Sequence, residues 1–191
     1  MGQENYNFLE QEFKEWIDPN TCNPGRAWEK DPQTWSPFMR EDGTFQYTYN
    51  QRFFLKDPDS SPICVDLMSR SQFQLVVDLL NKDPYSRQAF VGIWSPYHDL
   101  EKTVGQGPCS RVPCTIGYHF FLRDAPEGSD KKFNLEMVYI MRSLNISWNL
   151  WNDLWLVTNL FDWMVKQLDL SGLSVGNGSI CFQVGSLHII S

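Results

Sequence analysis

Two spacings of apolar residues alternate along the chain and mark its elements. Ser71–Asn81 places Phe73, Val76, Val77 and Leu80 at the i, i+3, i+4, i+7 spacing of a helix. Phe8–Ile17 reads as a short amphipathic helix, and Asn149–Leu168 as a long, largely apolar and central one. Thr115–Arg123 and Asn134–Met141 are aromatic and β-branched, and the charged Pro/Gly segment Asp124–Lys132 between them reads as a hairpin loop. Ala89–Ser95 is a short strand ending at Pro96, and Ser179–Ile190 a final strand after a turn at Gly172–Gly178. Thr44–Phe54 fits a short helix or a strand. Asp18–Asp42, with four prolines and the indoles of Trp28 and Trp35, reads as a shaped loop. Strands paired in sequence, with helices set apart from them, predict an α+β fold.

Composition narrows the function. The chain has 191 residues, enough for one domain with a sizeable core, and no repeat or low-complexity tract. Its net charge of -7 argues against a nucleic-acid polymer as partner, which calls for a basic face. A single nucleotide needs only a few local arginines and stays open. Ile146–Leu168 is broken by polar residues, so no membrane span is expected, and Met1–Trp16 lacks a signal pattern. Five cysteines without framework spacing point to a reducing compartment, and the sequons at Asn145 and Asn177 then read as accidental. The expected location is cytoplasmic, the host cytoplasm if the source is viral.

Five short segments carry chemistry. Cys114 lies in Val112-Pro113-Cys114-Thr115 at the mouth of a strand. It reads as a core cysteine, or as a nucleophile where neighbouring arginines favour the thiolate. A zinc site from Cys109, Cys114 and a histidine is not expected, because the C-x4-C spacing has no second pair. Met141-Arg142-Ser143 sets a cationic fork beside a hydroxyl, which suits a phosphate, and Ser86-Arg87 repeats the theme. Each also fits a solvated surface arginine. Asn152-Asp153 opens the apolar helix, as a first-turn charge or a ligand contact. His188, among Val184, Leu187, Ile189 and Ile190, fits a core histidine.

In this order the segments resemble the thymidylate synthase family. Asp83-Pro84-Tyr85-Ser86-Arg87 is similar to its P-x-S-R-R segment, Trp94-Ser95-Pro96 to W-N-P, Pro113-Cys114 to the catalytic P-C, Met141-Arg142-Ser143 to Q-R-S, and Gly185-Ser186-Leu187-His188 to G-D-x-H. Within the family the match is closer to the phage deoxycytidylate hydroxymethylases, through Cys114-Thr115, Arg123-Asp124, Asn152-Asp153 and G-S-L-H. The resemblance runs from Phe8 to Ile190, in a chain shortened at both ends relative to the family. It implies a mixed sheet of about five strands, a buried central helix and a homodimer through the sheet face.

It also implies roles. Cys114 would add to C6 of a pyrimidine nucleoside monophosphate, and C5 would take a one-carbon unit from 5,10-methylenetetrahydrofolate. Glu12, in Glu12-Phe13-x-x-Trp16-Ile17, would organise water and proton transfer, with Glu15 the competing choice. Arg142 and Ser143 would hold the phosphate, and Arg87 would reach the partner subunit's phosphate. Ser186 and His188 fall near the ribose, Tyr49 near the active site, and Trp35, Trp148 and Asn145 at the folate. Asp153 would choose the base: a carboxyl accepts from N4 of cytosine and, when protonated, donates to N3. Asn152 in that place would favour uracil.

Departures from the family pattern remove anion contacts: Gln88 replaces the second arginine of S-R-R, and Ile190 a sugar-contacting tyrosine. Arg26, Arg52 and Arg111 are the candidates to replace them. Hydroxymethylation of dCMP is the reading this supports. C5 methylation of dUMP or dCMP is the near alternative, and a non-catalytic member that binds a nucleotide or a partner chain is the distant one.

Overall fold

The computed structural model describes residues 3–54, 71–100 and 111–189. The chain divides into two compact units, Met1–Ser71 with Ile93–Pro113, and Gln72–Gly92 with Cys114–Ser191.

In the first unit, α1 (Gln3–Ile17) buries Phe8, Leu9 and Trp16 along one stripe. It starts earlier than the apolar pattern alone predicts. Proline punctuation breaks the next stretch into short turns, including the single helical turn α2 (Pro32–Trp35), whose Thr34 amide donates to the Asp31 carboxylate. The ambiguous aromatic run resolves as a helix, α3 (Tyr49–Phe53). Thr48 and Gln51 form a reciprocal capping box at its start, which decides against a strand. Trp16 packs on Tyr49 and Phe53, with ring centroids 5.1 and 5.3 Å away. Arg52 and Asp99 form an ion pair at 2.6 Å, with Arg52 11% exposed and Asp99 1%. Asp99 also accepts from the Ser95 amide.

The second unit opens with α4 (Gln72–Lys82), which buries the four residues its spacing selects. A four-stranded sheet follows in the order β1 (Phe90–Gly92), β2 (Thr115–Asp124), β3 (Phe133–Met141), β5 (Val175–Val184). The first three form an antiparallel meander, whereas β5 runs parallel to β3. That parallel pair needs a crossover, and α5 (Leu150–Leu168) supplies it. The helix buries Leu156, Val157, Leu160, Phe161, Met164, Val165 and Leu168 and packs on β3, β5 and α4. Tyr118, Phe120, Leu122, Leu135, Met137 and Tyr139 form the covered sheet face.

Two expectations need correction. Among the described residues the sheet has four strands, with β4 (Leu144–Asn145) and β6 (Leu187–His188) forming a separate parallel pair. The segment Val175–Gly178 is strand, not turn. Its glycines permit close approach instead of reversal: a Cβ at Gly178 would lie 2.3 Å from the Leu135 carbonyl oxygen, beside a bulge in the β3–β5 pairing.

No helix among the described residues is long and apolar enough to cross a membrane. Cys22 is disulfide-bonded, whereas Cys114 and Cys181 are free thiols. The disulfide removes the support that the cysteine count lends to a reducing compartment. Cys109 and Ile190 lie outside the described residues.

Candidate functional site

The second unit gathers most of the candidate residues at one end of its sheet. Cys114 precedes β2, and the chain is tied there by the Arg142 amide, which donates to the Cys114 carbonyl at 2.8 Å. This link follows from register, because Thr115 pairs with Met141. A bulge between Thr115 and Gly117 then re-aims the strand start. The Arg142 guanidinium is exposed and donates to Cys114 Sγ at 3.7 Å. A fixed positive charge thus faces a half-buried sulfur. Behind the pair, Thr115 and Tyr139 share a buried hydroxyl–hydroxyl bond of 2.8 Å, and Tyr139 stacks on Tyr118. Sequence reasoning missed this support, because strand alternation marks Tyr139 only as core.

Backbone bonds bring the next segments to the same end. The Gly185 amide donates to Met141, that of Leu144 to Ser186, and that of Ile146 to His188. Ser143, Asn145, Ser186 and His188 therefore lie on neighbouring stretches of chain. His188 is not a core histidine: it is half-buried between the exposed Leu187 and Ile189. Its ring, the Ser143 hydroxyl and the Asn145 NH2 have no hydrogen-bond partner among the described residues. Asn145 Oδ1 accepts from Ser147, which turns the chain into α5.

Asp153 sits in the first turn of α5, its amide bonded to Asn149. No donor among the described residues reaches its carboxyl. Burial pushes its pKa up to about 7, so both protonation states are populated near neutrality. Asn152 precedes it, and Trp148 is 72% exposed.

Arg87 does not join this cluster. It is exposed, and its carbonyl bonds the His119 ring at 2.9 Å. His119 lies five residues along β2 from Cys114, roughly 17 Å at strand rise.

In the first unit, Glu12 is one helical turn after Phe8 and one before Trp16, whose indole N–H donates to it at 2.9 Å. Its pKa is raised to about 7, first by burial and also by the neighbouring Glu15; the Trp16 bond and the positive charge of Arg111 oppose the rise. Glu15 has a different task. Its Oε1 accepts from the amides of Arg26 and Ala27 at 2.7 and 2.9 Å, and from Gln11. This fixes the loop after the cis Asn23–Pro24 bond.

Tyr49 packs on Trp16. Trp35 is more enclosed than a cofactor-stacking indole needs to be. Phe8 stacks on it at 5.6 Å, Phe45 meets it edge-on, and the Arg111 guanidinium lies 4.5 Å from its ring centre. Of the candidate replacement arginines, Arg52 is committed to Asp99 and Arg26 lies beside Glu29.

No family model matches the chain, and no curated protein matches it. Among solved structures it is similar to thermostable thymidylate synthase A from Bacillus subtilis, with a TM-score of 0.65 and 16% sequence identity. The likeness covers 95% of this chain and 57% of that enzyme, so the chain spans little more than half the enzyme's length. The fold is thymidylate synthase-like: an α+β arrangement with a mixed sheet and a long helix.

Proposed function

We propose that the protein transfers a one-carbon unit to C5 of a pyrimidine nucleoside monophosphate, and that the reaction is hydroxymethylation of dCMP, as in the phage deoxycytidylate hydroxymethylases. The observation that carries the reading is the Cys114 thiol facing the Arg142 guanidinium at the mouth of β2, within a thymidylate synthase-like fold.

Cys114 Sγ adds to C6 of the base, and electron density moves to C5. Arg142 and Ser143 hold the phosphate as charged fork and hydroxyl; Ser186 and His188 face the sugar. Asp153 reads the base, since its protonated carboxyl donates to N3 of cytosine while its carbonyl oxygen accepts from N4. A pKa near 7 makes that form accessible at neutral pH. 5,10-Methylenetetrahydrofolate supplies the one-carbon unit. The residues that fit it best are the exposed Trp148 indole and the Asn145 NH2; Trp35 fits stacking poorly because its ring is enclosed. Glu12 takes the proton-transfer role, and Tyr49 supports it through Trp16. With the one-carbon unit bonded to C5, loss of the C5 proton and departure of tetrahydrofolate would leave an exocyclic methylene; water would add at that carbon, and Cys114 would then be expelled from C6 to give the hydroxymethyl base.

The chain acts as a single thymidylate synthase-like domain and as a homodimer, with Arg87 serving the partner subunit's phosphate. The second face of the four-stranded sheet supports this, because it presents the half-exposed Phe121, Val138 and Ile140 beside an exposed Phe90.

Product mass spectrometry after incubation with methylenetetrahydrofolate and, separately, dCMP, CMP and dUMP tests the reading. Hydroxymethylated dCMP supports it. A methylated or uracil product overturns the assignment of capture step or base. Nucleotide binding without any product leaves the non-catalytic alternative.

A further inference from the structure

Thr115 and Tyr118 are both buried, although they stand three residues apart on β2. In a regular strand, residues three apart point to opposite faces. The bulge resolves the conflict. Thr115 pairs with Met141 and Gly117 with Ile140, so Ile116 is the extra residue and Thr115 turns inward. There its hydroxyl meets that of Tyr139 at 2.8 Å. The Tyr139 ring is placed for this by its row. Tyr118, Tyr139 and Phe182 are register partners across β2, β3 and β5. Tyr118 stacks on Tyr139 with centroids 5.0 Å apart, and Phe182 meets it edge-on at 5.2 Å. A ring held on two sides carries its hydroxyl to one point. Cys114 directly precedes the inward-turned threonine. β3 therefore restrains two consecutive residues: the Arg142 amide holds the Cys114 carbonyl at 2.8 Å, and Tyr139 holds the Thr115 side chain. Between these anchors, Cys114 Sγ lies 3.7 Å from the Arg142 guanidinium.

We propose that Tyr139 is a positioning residue for Cys114: its bond to Thr115 locks the bulged start of β2 and so holds the Cys114 sulfur against the Arg142 guanidinium. The catalytic meaning of the inference rests on the proposed role of Cys114. The alternative to the bulge is a one-residue slip that restores regular alternation, which turns Thr115 outward and re-aims the residue before it. Backbone pairing resists that slip only weakly here, because the bulge itself interrupts the ladder between Thr115 and Gly117. The hydroxyl bond supplies the missing tie, from a side chain that the aromatic row keeps still. A sulfur that drifts from the guanidinium loses the positive neighbour that makes a thiol a nucleophile.

The test is alkylation of the free thiols Cys114 and Cys181 by iodoacetamide in the full chain near neutral pH, each rate read from its own peptide by mass spectrometry. It needs no substrate, so it is independent of turnover. Cys181 is exposed on β5 and serves as the internal standard. Tyr139→Phe keeps the ring and removes its hydroxyl; Thr115→Val removes the other hydroxyl. Either is expected to lower the ratio of the Cys114 rate to the Cys181 rate by roughly three- to tenfold, the size of one hydrogen bond's net contribution. The double variant should fall no further than the larger single effect, because both changes remove the same bond. Tyr139→Phe should add nothing in an Arg142→Met background, where the contact it protects is already gone. Thr115→Ser keeps the hydroxyl and should stay near the parent ratio. A general loosening of the fold would expose both sulfurs and raise both rates, so a fall confined to Cys114 marks positioning. An unchanged ratio in folded Tyr139→Phe and Thr115→Val overturns the inference, as does an undiminished effect of Tyr139→Phe in Arg142→Met. If Tyr139→Phe does not fold, Thr115→Val against Thr115→Ser decides alone. A lowered ratio in a protein that turns nothing over would sink the catalytic reading and leave the positioning one standing.

Discussion

Two carboxyls with raised pKa values, Glu12 and Asp153, carry the proposed chemistry at the residue scale. In both the first cause is burial, which disfavours the charged form. The sign of the stability effect follows: a carboxyl whose folded pKa is raised binds more protons folded than unfolded. Its contribution is intact below about pH 4 and is lost as pH rises through about 7. Asp153→Asn, which cannot ionise, is expected to stabilise the fold at pH 8 by about 1–3 kcal/mol and to leave it unchanged at pH 4; denaturant melts at the two pH values check this. The same substitution replaces cytosine's pattern of donor and acceptor with uracil's, so product assays should show selectivity moving toward dUMP by at least about tenfold. Glu15 differs from these two because its carboxylate is held by loop amides. Glu15→Ala strands the Arg26 and Ala27 amides and should cost about 2–4 kcal/mol in the same melts.

At the scale of elements, the strand start after Cys114 depends on a close approach. A Cβ at Gly117 would lie 2.4 Å from the Val91 carbonyl oxygen and 2.4 Å from the Phe90 ring. Gly117→Ala should push β1 from β2, cost about 2 kcal/mol or more, and lower turnover through the displaced Cys114; melting and kinetics together check it. Sequence pattern revealed elements where one periodicity governs a long stretch, as in α4, where the four positions at helical spacing are the four buried ones. It failed at β5, where Gly176, Asn177 and Gly178 carry turn composition yet form an edge strand, because glycine there admits the neighbouring strand. The Cys114–Arg142 neighbourhood was legible through a family resemblance, not through periodicity, since only β2–β3 register brings residues 28 apart together. The stacking of Arg111 on Trp35 and Phe38 was not legible, because cation–π contacts between distant loop residues leave no local pattern.

For the whole molecule, the proposed homodimer and the proposed chemistry stand together, because Arg87 lies too far along the sheet from Cys114 to serve a phosphate held at Arg142 of its own chain. Light scattering at micromolar concentration should give twice the 22.3 kDa chain mass. Ile140→Glu, which places a charge on the half-exposed sheet face, should return the mass to that of one chain with the fold retained. A wild-type monomer would remove Arg87 from its role. The most direct test of the central claim, substitution at C5 through Cys114, is release of tritium to water from C5-tritiated dCMP in the presence of methylenetetrahydrofolate. The account predicts release by the wild-type chain and none by Cys114→Ser. Release that persists undiminished in Cys114→Ser, or its absence from a wild-type protein that binds both compounds, would contradict it.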